Sequence, residues 1–240
     1  MPGGTLARLN TAVDGLIAMG RYREALQLPR GWVPKGADTE SGLLVQINLA
    51  EAEYNLGDWG AAWERLRGLD PLAAAFPIAR AGLSQQRAWI AAHTDRAEEA
   101  LHHWHRAELH DLPRRYHAEH CFTGAVALLA AGDLEGALCC ASRGTGVAMR
   151  TSSGRNGLFI QARIAAAAGD WPRAESLCHA GALHPWRGQG ADGLLLWGDA
   201  LLRLGCADEA RRAFALATER DPESTCARTA RERLAAQAVP

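Results

Sequence analysis

Lysine is almost missing from this chain: Lys35 stands alone beside 25 arginines, and the 26 basic residues are matched by 27 acidic ones. A net charge of -1 leaves no basic surplus to hold nucleic acid or an anionic membrane surface. No run of about 18 apolar residues occurs, so no membrane-spanning helix is expected. The opening MPGGTLARLN has neither the basic stretch nor the apolar core of an export signal, and the chain reads as cytoplasmic. The six cysteines follow no disulfide spacing, as expected of buried thiols in a reducing compartment. Catalytic signatures are missing too: there is no G-x-S-x-G, Walker loop or dinucleotide fingerprint. The chain therefore reads as non-enzymatic, with no cofactor.

What is present is a repeat. Ala25, Ala62, Ala100, Ala137, Ala174 and Ala210 recur at intervals of 37, 38, 37, 37 and 36 residues. The strings AMGRYREAL, NLGDWGAAW, HTDRAEEAL, AAGDLEGAL, AAGDWPRAE and RLGCADEAR hold them in register. Such a period marks units that cannot bury their apolar faces alone and must stack on their neighbours. Each unit reads as helix, tight turn, helix. In the second, apolar residues at helical spacing run from Leu43 to Leu56, Gly57 lets the chain leave the helix, and Asp58 caps the next one. The recurring alanine has a steric reason, since a larger side chain at the closest approach of two helices would force their axes apart. Ala50, Ala88, Ala125, Ala162 and Gly198 occupy the matching place on the first helices.

These residues resemble the tetratricopeptide repeat (TPR) family. The resemblance covers nearly the whole chain and is clearest at Trp197, Gly198, Leu201, Gly205, Ala210, Phe214, Ala217 and Pro222. It implies a single all-α domain over 1–240, a right-handed α-solenoid of about six TPR-like helix pairs. The units fall at about 5–29, 42–71, 78–112, 114–147, 155–183 and 190–222, followed by a capping helix at 223–238 that solvates an open end. The period exceeds the usual 34 residues, so the linkers are longer, notably 29–42 and the stretches near 148–157 and 182–192. Pro29 stops the second helix of the first unit early, and Thr94 and Asp95 replace the turn glycine in the third. TSSGRNG at 151–157 reads as a loop.

The same resemblance implies a concave groove lined by the first helix of each pair, binding a peptide or helix of a partner protein. Helical projection places Asn10, Asp14, Asn48, Glu51, Tyr54, Gln85 and Trp89 on that face, followed by Phe122, Val126, Leu129, Phe159, Ile160, Arg163, Leu195, Asp199 and Arg203. The groove thus passes from polar to apolar. An exposed strip of Phe122, Val126, Leu129, Phe159, Ile160 and Leu195 would mark a partner site, or else curvature or the linkers cover it. The family's lysine-and-asparagine clamp for chaperone tails is not reproduced, because the single lysine lies in a linker. The chain reads as a protein-binding adaptor without nucleic-acid or membrane partners; self-association is an alternative.

Seven histidines between His93 and His120 are not explained by the repeat. His105, His117, His120 and Cys121 form an alternative, zinc-binding reading, without an H-E-x-x-H motif to support it. Trp32 and Trp186 stand beside prolines in long linkers. They either seal those linkers or form a second contact edge.

Overall fold

The computed structural model describes residues 3–29, 39–107, 112–148, 152–184 and 190–237. Within them the elements pair in chain order: α1 (Gly3–Ala18) with α2 (Tyr22–Gln27), α3 (Glu40–Asn55) with α4 (Trp59–Leu66), and, after the short α5 (Asp70–Ala73), α6 (Pro77–Ala92) with α7 (Ala97–His105). The remaining pairs are α8 (Arg114–Ala130) with α9 (Leu134–Ala148), α10 (Ser152–Ala167) with α11 (Trp171–Leu183), and α12 (Ala191–Arg203) with α13 (Ala207–Arg220). They are followed by α14 (Thr225–Gln237). The result is an all-α solenoid of six helix pairs.

The repeat signal has a direct structural cause. All six recurring alanines, and Ala50, Ala88, Ala125 and Ala162 opposite them, are fully buried. Each turn between paired helices contains one left-handed residue: Gly20, Gly57, Gly132, Gly169 and Gly205 have φ between 71° and 93°, and Asp95 has φ 56°. Aspartate is one of the few side chains that tolerates that region. Where aspartate follows the glycine it caps the second helix: Asp58, Asp133 and Asp170 accept from the backbone N–H groups of Ala61, Gly136 and Arg173 at 2.9–3.1 Å. In two of the units without such a cap, Arg21 and Arg96 instead pair with Glu24 and Glu99, three residues on.

Three features differ from the expectation. Residues 152–157 of TSSGRNG are the opening turns of α10; packing overrides the weak helix propensity of Ser, Gly and Asn, since a Cβ at Gly157 would overlap Thr145 and lie 2.8 Å from Phe122. The short α5 comes with a buried arginine. Arg87, 7% exposed, donates to Asp70 at 2.7 Å and to the Leu66 carbonyl at 2.6 Å, tying α6 to the end of the preceding unit.

Lastly, the C-terminal end is not open at its entry. The Tyr22 hydroxyl donates to Asp221 Oδ2 at 2.9 Å, and the Arg23 backbone N–H donates to Glu223 at 2.9 Å. A Cβ at Gly20 would lie 2.9 Å from Asp221 Oδ1. The segment leading into α14 therefore clasps the first unit and brings the two ends of the solenoid together. Pro29 does end the first unit early, since α2 stops at Gln27. Trp32, Lys35 and Trp186 lie outside the described residues.

Candidate binding groove

The first helices α1, α3, α6, α8, α10 and α12, with the segment entering α14, surround a cavity of about 1040 Å³. Thirteen of the sixteen expected groove residues line it: Asn10, Asp14, Asn48, Glu51, Tyr54, Gln85, Trp89, Phe122, Phe159, Ile160, Arg163, Leu195 and Asp199. The other three point elsewhere. Val126 is 2% exposed and, with the half-buried Leu129, packs in the core around α8 and α9. Arg203 places its guanidinium 5.2 Å from the centre of the Trp171 ring.

The exposed apolar strip is a correction. Phe122, Phe159 and Ile160 reach the cavity wall but are only 5%, 3% and 5% exposed. Glycine is the reason. A Cβ at Gly144 would lie 2.6 Å from the Phe122 ring and one at Gly181 2.6 Å from the Phe159 ring, while one at Gly193 would overlap Phe159 outright. Each phenyl ring therefore sinks between neighbouring helices and serves packing between units.

The polar half is also partly occupied by contacts between units. Asn48 donates to Asn10 Oδ1 at 3.1 Å, Gln86 to Glu51 at 3.3 Å, and Gln85 to the Tyr116 carbonyl at 3.3 Å. Projection could place these side chains on the concave face, but it could not show that neighbouring units bond through them.

At the centre of the wall stands an aromatic column that the projection only partly found. Tyr54 stacks on Trp59 at 5.2 Å, Trp59 on His93 at 5.3 Å, and His93 meets Trp89 at 4.7 Å. Arg163 reaches from α10 to donate to His93 Nε2 at 3.0 Å, so His93 carries its proton on Nδ1, which donates to the Trp89 carbonyl at 2.9 Å. Burial, and then the Arg163 charge, push the His93 pKa down to about 4 and keep the ring neutral. Trp59 opens α4 and His93 ends α6, and projection of the first helices alone does not flag their stacking.

Charge on the wall is one-sided. Arg163 is the only arginine or lysine lining it among the described residues, whereas Asp14, Glu51, Glu119, Asp192, Asp199 and Asp221 all line it. Asp199 pairs with Arg233 at 3.3 Å, and burial raises its pKa despite that partner. Asp221 is 2% exposed, and burial pushes its carboxyl up to about 6, opposed by the Tyr22 hydrogen bond.

The histidines and cysteines are arranged otherwise. The Trp104 ring lies against both His105, at 4.5 Å, and His120, at 5.5 Å. His117 Nε2 is 3.3 Å from the Leu112 carbonyl. Among the described residues no group of three or more His, Cys, Asp or Glu side chains is placed to hold a metal, so His105, His117, His120 and Cys121 are not gathered into a site. All six cysteines are free. No helix among the described residues is long and apolar enough to cross a membrane.

No protein-family model matches this sequence, and no curated protein matches it. Among solved structures the chain is similar to PilW, a widely conserved type IV pilus biogenesis factor, with a TM-score of 0.58 and 16% identity over 94% of this chain and 97% of that one. It is similar to PilF of Pseudomonas aeruginosa, with a TM-score of 0.52 and 14% identity over 96% and 98% of the two chains. A Podosopora anserina putative kinesin light chain with nearly identical TPR-like repeats has a TM-score of 0.50 and 17% identity, over 74% of this chain and 93% of that one. At such identities the likeness is one of fold.

Proposed function

We propose that this chain, which has the tetratricopeptide-repeat fold, is a non-enzymatic adaptor that holds a peptide or helix of a partner protein against its concave face. The observation that carries this reading is the central cavity with its half-buried aromatic column of Tyr54, Trp59 and Trp89. Aromatic rings that remain partly exposed in a concavity supply large contact area at little entropic cost. The sinking of Phe122 and Phe159 into the core moves the expected anchors toward Trp89 and its neighbours.

The test is affinity capture from the source cell's lysate with wild type and Trp89→Ala, folding being checked by circular dichroism. A partner held by wild type should fall at least about tenfold in the variant, the loss expected for a hot-spot aromatic. An unchanged set of captured proteins with a folded variant would remove the concave face from the reading. Capture of the chain by itself would replace it with self-association.

A further inference from the structure

The polar lining of the cavity is dominated by carboxylates: Asp14, Glu51, Glu119 and Asp192 all border it, and an ionised carboxylate only accepts hydrogen bonds. An occupant that brings donors is therefore favoured over one that brings acceptors. The charge of the wall points the same way. Asp192 is exposed, lines the cavity and has no ion-pair partner among the described residues. It borders the same cavity as Tyr54, Trp59 and Trp89, and its charge is felt at His93 as well as at the buried Arg155. Asp14, also exposed, adds a second carboxylate from α1. The one lining arginine, Arg163, is turned onto neutral His93.

Three requirements follow for the occupant: positive charge, several donors and no acceptor in its head group, and a flat face that stacks on indole. A guanidinium meets all three. It carries five N–H donors in a planar fork, pairs with carboxylates through two parallel bonds, and stacks on tryptophan. An ammonium has the charge but not the plane. An acidic segment would face Asp14, Asp192 and Asp199 with only Arg163 to receive it.

We propose that the partner segment enters this cavity with an arginine, whose guanidinium pairs with Asp192 and lies against Trp89. This rests on the adaptor reading and specifies the chemistry of its partner. A lysine-rich or acidic partner is the alternative that the test must separate.

The experiment is fluorescence-anisotropy titration of the full chain with three labelled peptides of one amphipathic leucine pattern, carrying arginine, lysine or glutamate at the charged positions. The arginine peptide is expected to bind saturably. The lysine peptide should bind several-fold more weakly, and the glutamate peptide should show no saturation. Asp192→Asn, a change at an exposed position that leaves the core alone, should weaken the arginine peptide about tenfold. Glu98→Gln, an exposed acidic position outside the cavity, should leave it unchanged.

Equal affinity for the arginine and lysine peptides, preference for the glutamate peptide, or no effect of Asp192→Asn would overturn the guanidinium assignment. If that happens while Trp89→Ala still abolishes lysate capture, the adaptor reading survives and only its chemistry fails. If capture is also indifferent to Trp89, both fail.

Discussion

Gly193→Ala should lower the melting temperature of this protein by roughly 5–10 °C, although alanine is the better helix former. Gly193 lies within α12, where the substitution would gain about 1 kcal/mol of helix propensity. The added methyl, however, would overlap Phe159 at Cγ, the root of its ring, where rotation gives no relief. The ring cannot withdraw, because Gly181 and Gly190 bound it on other sides and it is 3% exposed. Overpacking at such a site costs about 3 kcal/mol or more, and a net loss of about 2 kcal/mol or more shifts a chain of this size by several degrees. Gly15 is the control. It is also helical, and a Cβ there meets nothing within 4 Å, so Gly15→Ala should raise the melting temperature slightly. Equal and opposite-to-expected shifts from the two substitutions in thermal melts would mean that the phenylalanines are not seated on glycine as described.

Acidification should destabilise the fold well before the surface carboxylates are exhausted, with most of the loss between pH 6.5 and pH 4. His93, His103 and His120 each have pKa values pushed down to about 4, in every case chiefly by burial. Positive neighbours add to it: Arg163 at His93, Arg87 at His103, and His105 with His117 at His120. In this window the unfolded chain takes up protons that the folded chain refuses. Their contribution is therefore complete above about pH 6.5 and is lost as pH falls toward 4. Asp221 works in the opposite sense. Its raised pKa, about 6, means that the folded state holds a proton more tightly, so its contribution grows as pH falls through 6 and offsets part of the loss. With three histidines against one carboxyl, and with His103 and His120 discounted for partial solvation, the net loss is on the order of 3 kcal/mol. Calorimetric melts at pH 7 and pH 4.5 should differ by about 10 °C, and His120→Leu should flatten that difference. A melting temperature independent of pH over this range would mean that these rings are not held neutral.

The helix pairs were legible because their determinants are local and repeated. A left-handed turn residue, a capping aspartate and a small residue at the closest approach recur at a fixed offset, and all three kinds of signal survive projection onto one helix. The faces were legible to the same extent: thirteen of sixteen projected residues do reach the cavity wall. What projection could not supply was depth. Phe122 and Phe159 face the axis, but glycines on neighbouring helices, Gly144, Gly157, Gly181 and Gly193, let them sink out of reach of solvent. Gly157 and Gly193 belong to the next unit along, and Gly144 and Gly181 to the paired helix of the same unit, so no single helix carries that information. The clasp between Tyr22 and Asp221 was illegible for a similar reason: it depends on the accumulated rotation of six pairs, which no single unit encodes. The Arg163 bridge to His93 likewise joins residues two units apart.

The adaptor reading is tested most directly by photo-crosslinking inside the source cell, with benzophenone side chains placed singly at Gln86, Leu195 and Leu183. Gln86 and Leu195 line the cavity, whereas Leu183, 73% exposed, lies outside it. The account predicts one partner band shared by the Gln86 and Leu195 positions and absent from Leu183. A band from Leu183 with none from the two cavity positions would contradict it and move the binding surface to the outer face of the solenoid.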